Sequence, residues 1–572
     1  MVLNRPHGLM AVKSLPSPAQ QFIQDVSADL RDLTEFYSIS FSPTSLTRKL
    51  DYIKDRRAEL DKIDFDQLDQ EGQIDWLLIR GFLKRQGRQL HAASEKVKEL
   101  HHLLDSWAPS LIQICEDRQR VLPVDGQTVA GQLSRAQVEI RSLCESIKAG
   151  KTTAKTTKEK LAAERAAQAV TELQHHMQEW FEFYNGYDPL LSWWIAEPWK
   201  ELPTCMSAYA DLIREKLVGI EDKDEIIGQP VGRQALLDEL EAEVIAYTPE
   251  ELIEIAEREY AWCEKEMIRA SEKLGFKDWH DGLEHVKTTY VAPGEQPLMI
   301  RALAEEAMAY VKKHDMITTP TIANECWRTT MMSPARQKVN PFFLGGERII
   351  VSYPKTEQSH EDKLMSMRGN NPAFSRSTVF HELIPGHHLQ FYYLDRWRPY
   401  RTLFMTPFWT EGWAFYWEFI LWDRGFPGQV SQKYATNEAE NRIGMLFWRM
   451  HRCARIVFSL KFHLGEMTPR ECVDYLVQKV GHERATAEGE VRRSFNGEYS
   501  PLYQAGYMLG ALQLYQLRKE LVGTSGAGWS EKAFHDRVMR EGVMPIELLR
   551  ALLSGERLKR QRSPCWRFYQ PR

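Results

Sequence analysis

The sequence lacks the marks of several protein classes. None of its eight cysteines (115, 144, 205, 263, 326, 453, 472 and 565) stands in a C-x-x-C pair, which argues against a zinc knuckle, a thioredoxin-like site or a dense disulfide framework. A reducing compartment fits that usage. No apolar run reaches membrane-span length, and the first 20 residues, with three prolines, contain no signal-peptide core; a soluble, cytoplasmic protein with no membrane partner is therefore expected. Charge of one sign is also missing. Lys and Arg number 74 against 79 Asp and Glu, for a net charge of −5, so nothing global favours a nucleic-acid partner. There is no internal repeat, long charge block or low-complexity tract, and strand signals are few.

What is present is an ordinary globular composition, 43% hydrophobic and 11% aromatic over 572 residues, enough for a large core and one to three domains. Residues 1–330 carry apolar positions at three- and four-residue spacing, punctuated by proline and glycine, and predict helices. Thr156 to Tyr184 combines strong helix formers with an apolar stripe, and Thr248-Pro249-Glu250-Glu251 is a helix start with proline at the first turn. The texture changes at residues 331–354. Phe342 to Gly346 has glycine turn chemistry, and Arg348 to Pro354 is a β-branched run, so a small β element is predicted near residues 342–354. It serves either to pair with an extended peptide or to close a cleft wall. The expected fold class is mainly α.

The chemistry concentrates in His381-Glu382-Leu383-Ile384-Pro385-Gly386-His387-His388. In an H-E-x-x-H helix two imidazoles one turn apart hold zinc while the glutamate activates its water. Here Pro385 occupies the fifth position. On a regular helix His381 and His387 would lie about 120° apart, and His381 and His388 within about 20° but roughly 10 Å apart along the axis. Neither pair could chelate one metal. Proline removes a helical hydrogen bond and glycine eases unusual dihedrals, so a two-residue bulge at Pro385-Gly386 in a core helix would restore a histidine beside His381. His387 is the first choice and His388 the alternative ligand or a supporting group. Glu411, 24 residues after His387, leaves room for the chain to turn and run back. Gly412 and Ala414 permit close helix approach, and Glu411 and Glu418, seven apart, share a face.

H-E-x-x-P-G-H-H-L-Q followed by E-G-W-A-x-Y-x-E closely resembles the domain-of-unknown-function 885 (DUF885) family, a group assigned to the gluzincin-like metallopeptidases. The resemblance implies a large helical body with a deep cleft, Zn²⁺ held by His381, His387 and Glu411, and Glu382 as general base. The helical texture, with its change near residue 331, divides the chain into an N-terminal region, 1–330, forming scaffold and cleft wall, and a metal-binding catalytic region, 331–572, joined as one unit. Tyr507 resembles a tyrosine donor in related peptidases and is the expected catalytic oxyanion donor, with Tyr503 the fallback. Matching is strong over residues 380–418 and patchier to about residue 520. Ser459 and Lys461 replace a usual Asp and Gly, and Ser494 and Tyr503 a common Tyr and Gly.

Two neutral imidazoles and a carboxylate leave an open position on the metal, as in catalytic zinc, whose bound water reaches a pKa of about 7. With Glu382 as proton acceptor and donor, this predicts a zinc-dependent hydrolase of amide bonds in short peptides or peptide-like metabolites, with no covalent intermediate. Arg455, His463, Arg492 and Arg493 are candidates for contacting a substrate carboxylate or supporting the site, as are His388 and Glu418. Other divalent ions suit the same ligands. Competing readings are a metal-dependent enzyme of non-peptide carbonyl chemistry, including bond formation, and a silent metal-binding scaffold; Glu382 beside the histidines speaks against the latter.

Overall fold

The helices start where residue chemistry places them. In the computed structural model, which describes residues 17–220, 225–337, 349–352, 354–429, 434, 436–495, 499–523 and 528–571, Thr248 opens the helix Pro249–Lys273. Its side chain accepts from the Glu251 N–H, and Glu251 accepts in return from the Thr248 N–H at 2.8 Å. Thr156 and Glu159 make the same reciprocal cap on Thr157–Tyr184. Each pair satisfies two donors that a helix end would otherwise leave open. The chain is mainly α, as its periodicity predicts.

Among the described residues, Thr329–Met331 and Ile349–Val351 form a two-stranded parallel sheet, Thr329 opposite Ile349. The β-branched run is therefore a strand at Ile349–Val351. Its partner has too little apolar alternation to announce itself, with Thr329 and Met331 both exposed. The expected glycine turn from Phe342 to Gly346, together with Arg348 and Tyr353, lies outside the described residues.

Apolar packing runs continuously across residue 330. Ile79, Leu252 and Ala256 share one core with Phe380, Trp413, Leu446 and Leu509. A second core gathers Leu103, Leu133, Val170, Trp180 and Tyr209 from helices between residues 100 and 217. Among the described residues no helix is long and apolar enough to cross a membrane. All eight cysteines are free.

At the centre of the larger core is Pro407–Asp423, in which Trp409, Trp413, Tyr416 and Trp417 are all buried. A helix apolar on every side is a core helix, and Glu411 and Glu418 within it are desolvated. It meets Tyr503–Leu521 at a pair of glycines. A Cβ on Gly412 would stand 2.7 Å from the Gly510 Cα, closer than any side chain permits. That contact sets the two helices backbone to backbone.

Candidate metal centre

Asn371 caps the helix Pro372–Glu382 by accepting from the Phe374 N–H at 3.0 Å, with Pro372 in the first turn. Every residue of this helix is buried. The expected single helix with a bulge is corrected: helix ends at Glu382, Leu383 leaves it at φ −112° and ψ −102°, and a second helix begins at His387 and runs to Leu394. Pro385 offers no N–H, and Gly386 lies against the carbonyls of Phe380 and His381, where any Cβ would overlap both. The inserted length is nevertheless two residues. The Leu389 N–H reaches the Leu383 carbonyl at 3.2 Å, six residues back instead of four. Trp413 fixes the insert by donating to the Pro385 carbonyl at 2.9 Å.

This places the His381 and His387 rings 5.0 Å apart. Glu411 meets both, its Oε2 3.4 Å from His381 Nε2 and 3.2 Å from His387 Nε2. The other ring nitrogens are committed elsewhere. His381 Nδ1 lies 3.2 Å from Glu418 Oε1, and His387 Nδ1 lies 3.3 Å from the Gln390 side-chain oxygen. Those oxygens can only accept, so in neutral rings both Nδ1 atoms carry the proton and both Nε2 atoms present lone pairs. In that neutral state two lone pairs face a carboxylate oxygen, an arrangement that calls for a proton or a metal ion between them. The separations also fit a metal, since a tetrahedron with bonds of about 2.0 Å has edges of about 3.3 Å. Among the described residues, His381, His387 and Glu411 are the one such cluster, with ligand atoms within 4.8 Å of one another.

His388 is turned away, its Nε2 2.9 Å from the Ala323 carbonyl. Of the two candidate histidines, the fold brings His387 to the cluster. The Tyr503 hydroxyl donates to Glu411 Oε1 at 2.8 Å, leaving Oε2 toward the histidines; this holds the carboxylate in place rather than offering a donor to substrate. Glu418 and Glu411 share one face, as their spacing predicts, and grip His381 from its two ends.

Burial alone would depress His381, but hydrogen bonds to Glu411 and Glu418 outweigh it and hold the ring at about 9. Burial would raise Glu411, yet His387 and His381 keep it well below the usual carboxylate range. Glu382, 8% exposed, is raised by burial against the pull of His381 and His387. Among the described residues it makes no hydrogen bond or ion pair, and so keeps both oxygens available. Tyr507 stacks near His381, ring centroids 6.2 Å apart. Burial raises its phenol too, and its hydroxyl is likewise unbonded among the described residues.

Behind Tyr507, Arg455 lies 4.4 Å over the ring and donates to Glu490 at 2.7 Å. Arg493 pairs with the same carboxylate. His463 packs against Phe462 and Phe495 and touches none of the cluster; burial depresses it to about 4. Arg492 is half-buried on Arg484–Phe495. Sequence reasoning missed Gln390, which orients His387 and is itself anchored to the Trp409 carbonyl at 3.1 Å. Its signal was the three-residue spacing from His387, one helical turn. A pocket of about 730 Å³ reaches the cluster, with His387, Glu411 and Tyr503 on one wall and Phe82, Arg85 and Phe404 among its other lining residues.

Comparison with known families matches residues 38–553 to DUF885, described as a bacterial protein of unknown function. The chain belongs to this family. Two solved structures share the fold of this DUF885 protein. One is a lipoprotein candidate of unknown function from Shewanella oneidensis, 16% identical, with a TM-score of 0.69 over 94% of this chain and 100% of that one. The other is a lipoprotein candidate from Colwellia psychrerythraea, 15% identical, with a TM-score of 0.59 over 94% and 98%. At that identity they speak for the DUF885 fold alone. No curated protein matches the sequence.

Proposed function

We propose that this DUF885 protein is a metal-dependent hydrolase, using zinc, that cleaves an amide bond in short peptides or peptide-like metabolites. The observation that carries the reading is the convergence of His381 Nε2, His387 Nε2 and Glu411 Oε2, with both Nδ1 atoms tied to Glu418 and Gln390. Tying back the far nitrogen of a ligand histidine fixes its tautomer and orientation. Zinc held by His381, His387 and Glu411 would supply Lewis acidity to a substrate carbonyl and to water. Glu382, adjacent to His381 and free of partners among the described residues, takes up the proton of the attacking water and returns it to the leaving amine. Its desolvated environment raises its carboxyl, which suits a group that must hold that proton between the two steps. Tyr507 donates its unbonded hydroxyl to the carbonyl oxygen as charge develops there. Tyr503 keeps Glu411 in register.

The pocket beside the ligands is the size of a short peptide rather than of a folded protein. Eight unpaired cysteines are consistent with work in a reducing, cytoplasmic compartment. The test is Glu382→Gln. Zinc content stays at the wild-type ratio while turnover of a dipeptide and tripeptide mixture falls about 10²- to 10⁴-fold; wild-type turnover in that variant would end the proposal.

A further inference from the structure

Arg452 lies on the helix Glu438–Leu464, 6% exposed. Its guanidinium is enclosed by rings, 4.7 Å from Trp448, 5.4 Å from Phe415 and 5.5 Å from Tyr507. Among the described residues its one hydrogen bond runs to the Trp448 carbonyl at 3.5 Å, the limit of such a bond, and its buried Nε has no partner there. No carboxylate of the described residues lies in ion-pair range of it. The neighbouring arginines differ. Arg449 pairs with Glu259 at 2.8 Å, and Arg455 and Arg493 share Glu490. Arg452 feels Glu418 and Glu411 only at a distance, so among the described residues its fork is the one on this wall with no carboxylate in direct contact.

A buried guanidinium without a counter-ion is costly unless something anionic joins it, and its planar fork matches a carboxylate. The place is informative. Tyr507 spans Arg452 and His381, its ring 5.5 Å from one and 6.2 Å from the other's ring. At about 3.5 Å per extended residue, a carboxylate on Arg452 belongs within about three residues of a carbonyl at the cluster.

We propose that Arg452 receives a substrate carboxylate, so that the site takes short peptides or peptide-like amides bearing a free carboxylate close to the cleaved bond. This rests on the metal reading of His381, His387 and Glu411. The carboxylate belongs either to a C-terminus or to an acidic side chain.

The zinc-loaded full-length protein is titrated calorimetrically with three thiol probes: mercaptoacetyl-phenylalanine as free acid, its C-terminal amide, and mercaptoacetyl-glutamic acid α-amide. At least one carboxylate-bearing probe binds tenfold or more tighter than the phenylalanine amide. Which one does so identifies the source of the carboxylate. Arg452→Met, close in volume and uncharged, brings that probe down to the amide's affinity while leaving the amide unchanged, and Arg452→Lys recovers part of the preference. Equal binding of all three probes to the wild type overturns the proposal. So does an Arg452→Met variant that weakens every probe alike, the signature of a structural role. Loss of all zinc-dependent probe binding overturns both this proposal and the metal reading. Carboxylate preference that persists in a protein hydrolysing no peptide leaves Arg452 as assigned and removes only the hydrolytic reaction.

Discussion

The glycine contact between Pro407–Asp423 and Tyr503–Leu521 gives a quantitative test of how tightly the ligands depend on helix packing. In Gly412→Ala the new methyl would stand 2.7 Å from the Gly510 Cα and 2.8 Å from its carbonyl carbon. Non-bonded carbons settle at about 3.5 Å or more, so the helices must part by about 0.8 Å. Backbone faces backbone there, and no flexible side chain can give way. Metal sites tolerate about 0.2 Å in ligand distance, and the neighbour of Gly412 is Glu411, whose other oxygen is held by Tyr503 on the departing helix. Zinc affinity should fall roughly 10- to 100-fold, or about 1.4 to 2.8 kcal/mol, alongside an overpacking cost of about 1 to 3 kcal/mol in stability. Competition with a chromogenic chelator measures the first, and thermal unfolding the second. Gly126→Ala is the control, because its methyl would stand 2.8 Å from Trp194 Cδ1, in the body built around the second core. It should lose stability and keep zinc. Unchanged affinity in Gly412→Ala, or an equal loss in Gly126→Ala, would refute the coupling.

His387→Ala should abolish stoichiometric zinc in metal analysis of the purified protein, whereas His388→Ala should retain it; the opposite result would reverse the ligand assignment. Acid should weaken the fold through three buried histidines. Burial depresses His463 and His535 to about 4 and His482 to about 3 from an ordinary 6.5. The unfolded chain therefore takes up protons first, so stability is full above pH 6.5 and is lost as pH falls toward 4 and below. For His535, which bonds Tyr416 at 2.7 Å and the Met316 carbonyl at 2.8 Å, the complete loss is about 3 kcal/mol. Urea midpoints that stay flat from pH 7 to 4.5 would contradict this.

Much of the cluster was legible because its candidate ligands lie close together in sequence and helical geometry is strict. With Pro385 in the way, only an insertion of two residues returns His387 to His381, and the Leu389-to-Leu383 hydrogen bond has that length. What sequence could not supply was the separation into two helices, which depends on Gly386 pressing on the Phe380 and His381 carbonyls. Nor could it sort the arginines. Arg452 and Arg455 are one turn apart with like surroundings in sequence, and the carboxylate that distinguishes them, Glu490, belongs to another helix. The body between residues 100 and 217 was hidden for another reason: its helices have the same texture as those around them, and only side-chain contacts reveal a core of its own.

The Tyr503 bond to Glu411 also bears on the order of events during synthesis. A chain made from its N-terminus presents His381, His387 and Glu411 outside the ribosome while Tyr503, 92 residues beyond Glu411, is still to be added. For that interval the nascent polypeptide has the candidate ligands but no partner to fix the carboxylate, and no glycine surface at Gly510 against which Gly412 can settle. On the proposed metal reading, an ion met by the nascent chain would lack both restraints, and a fixed site would exist only after translation has passed Tyr503–Leu521.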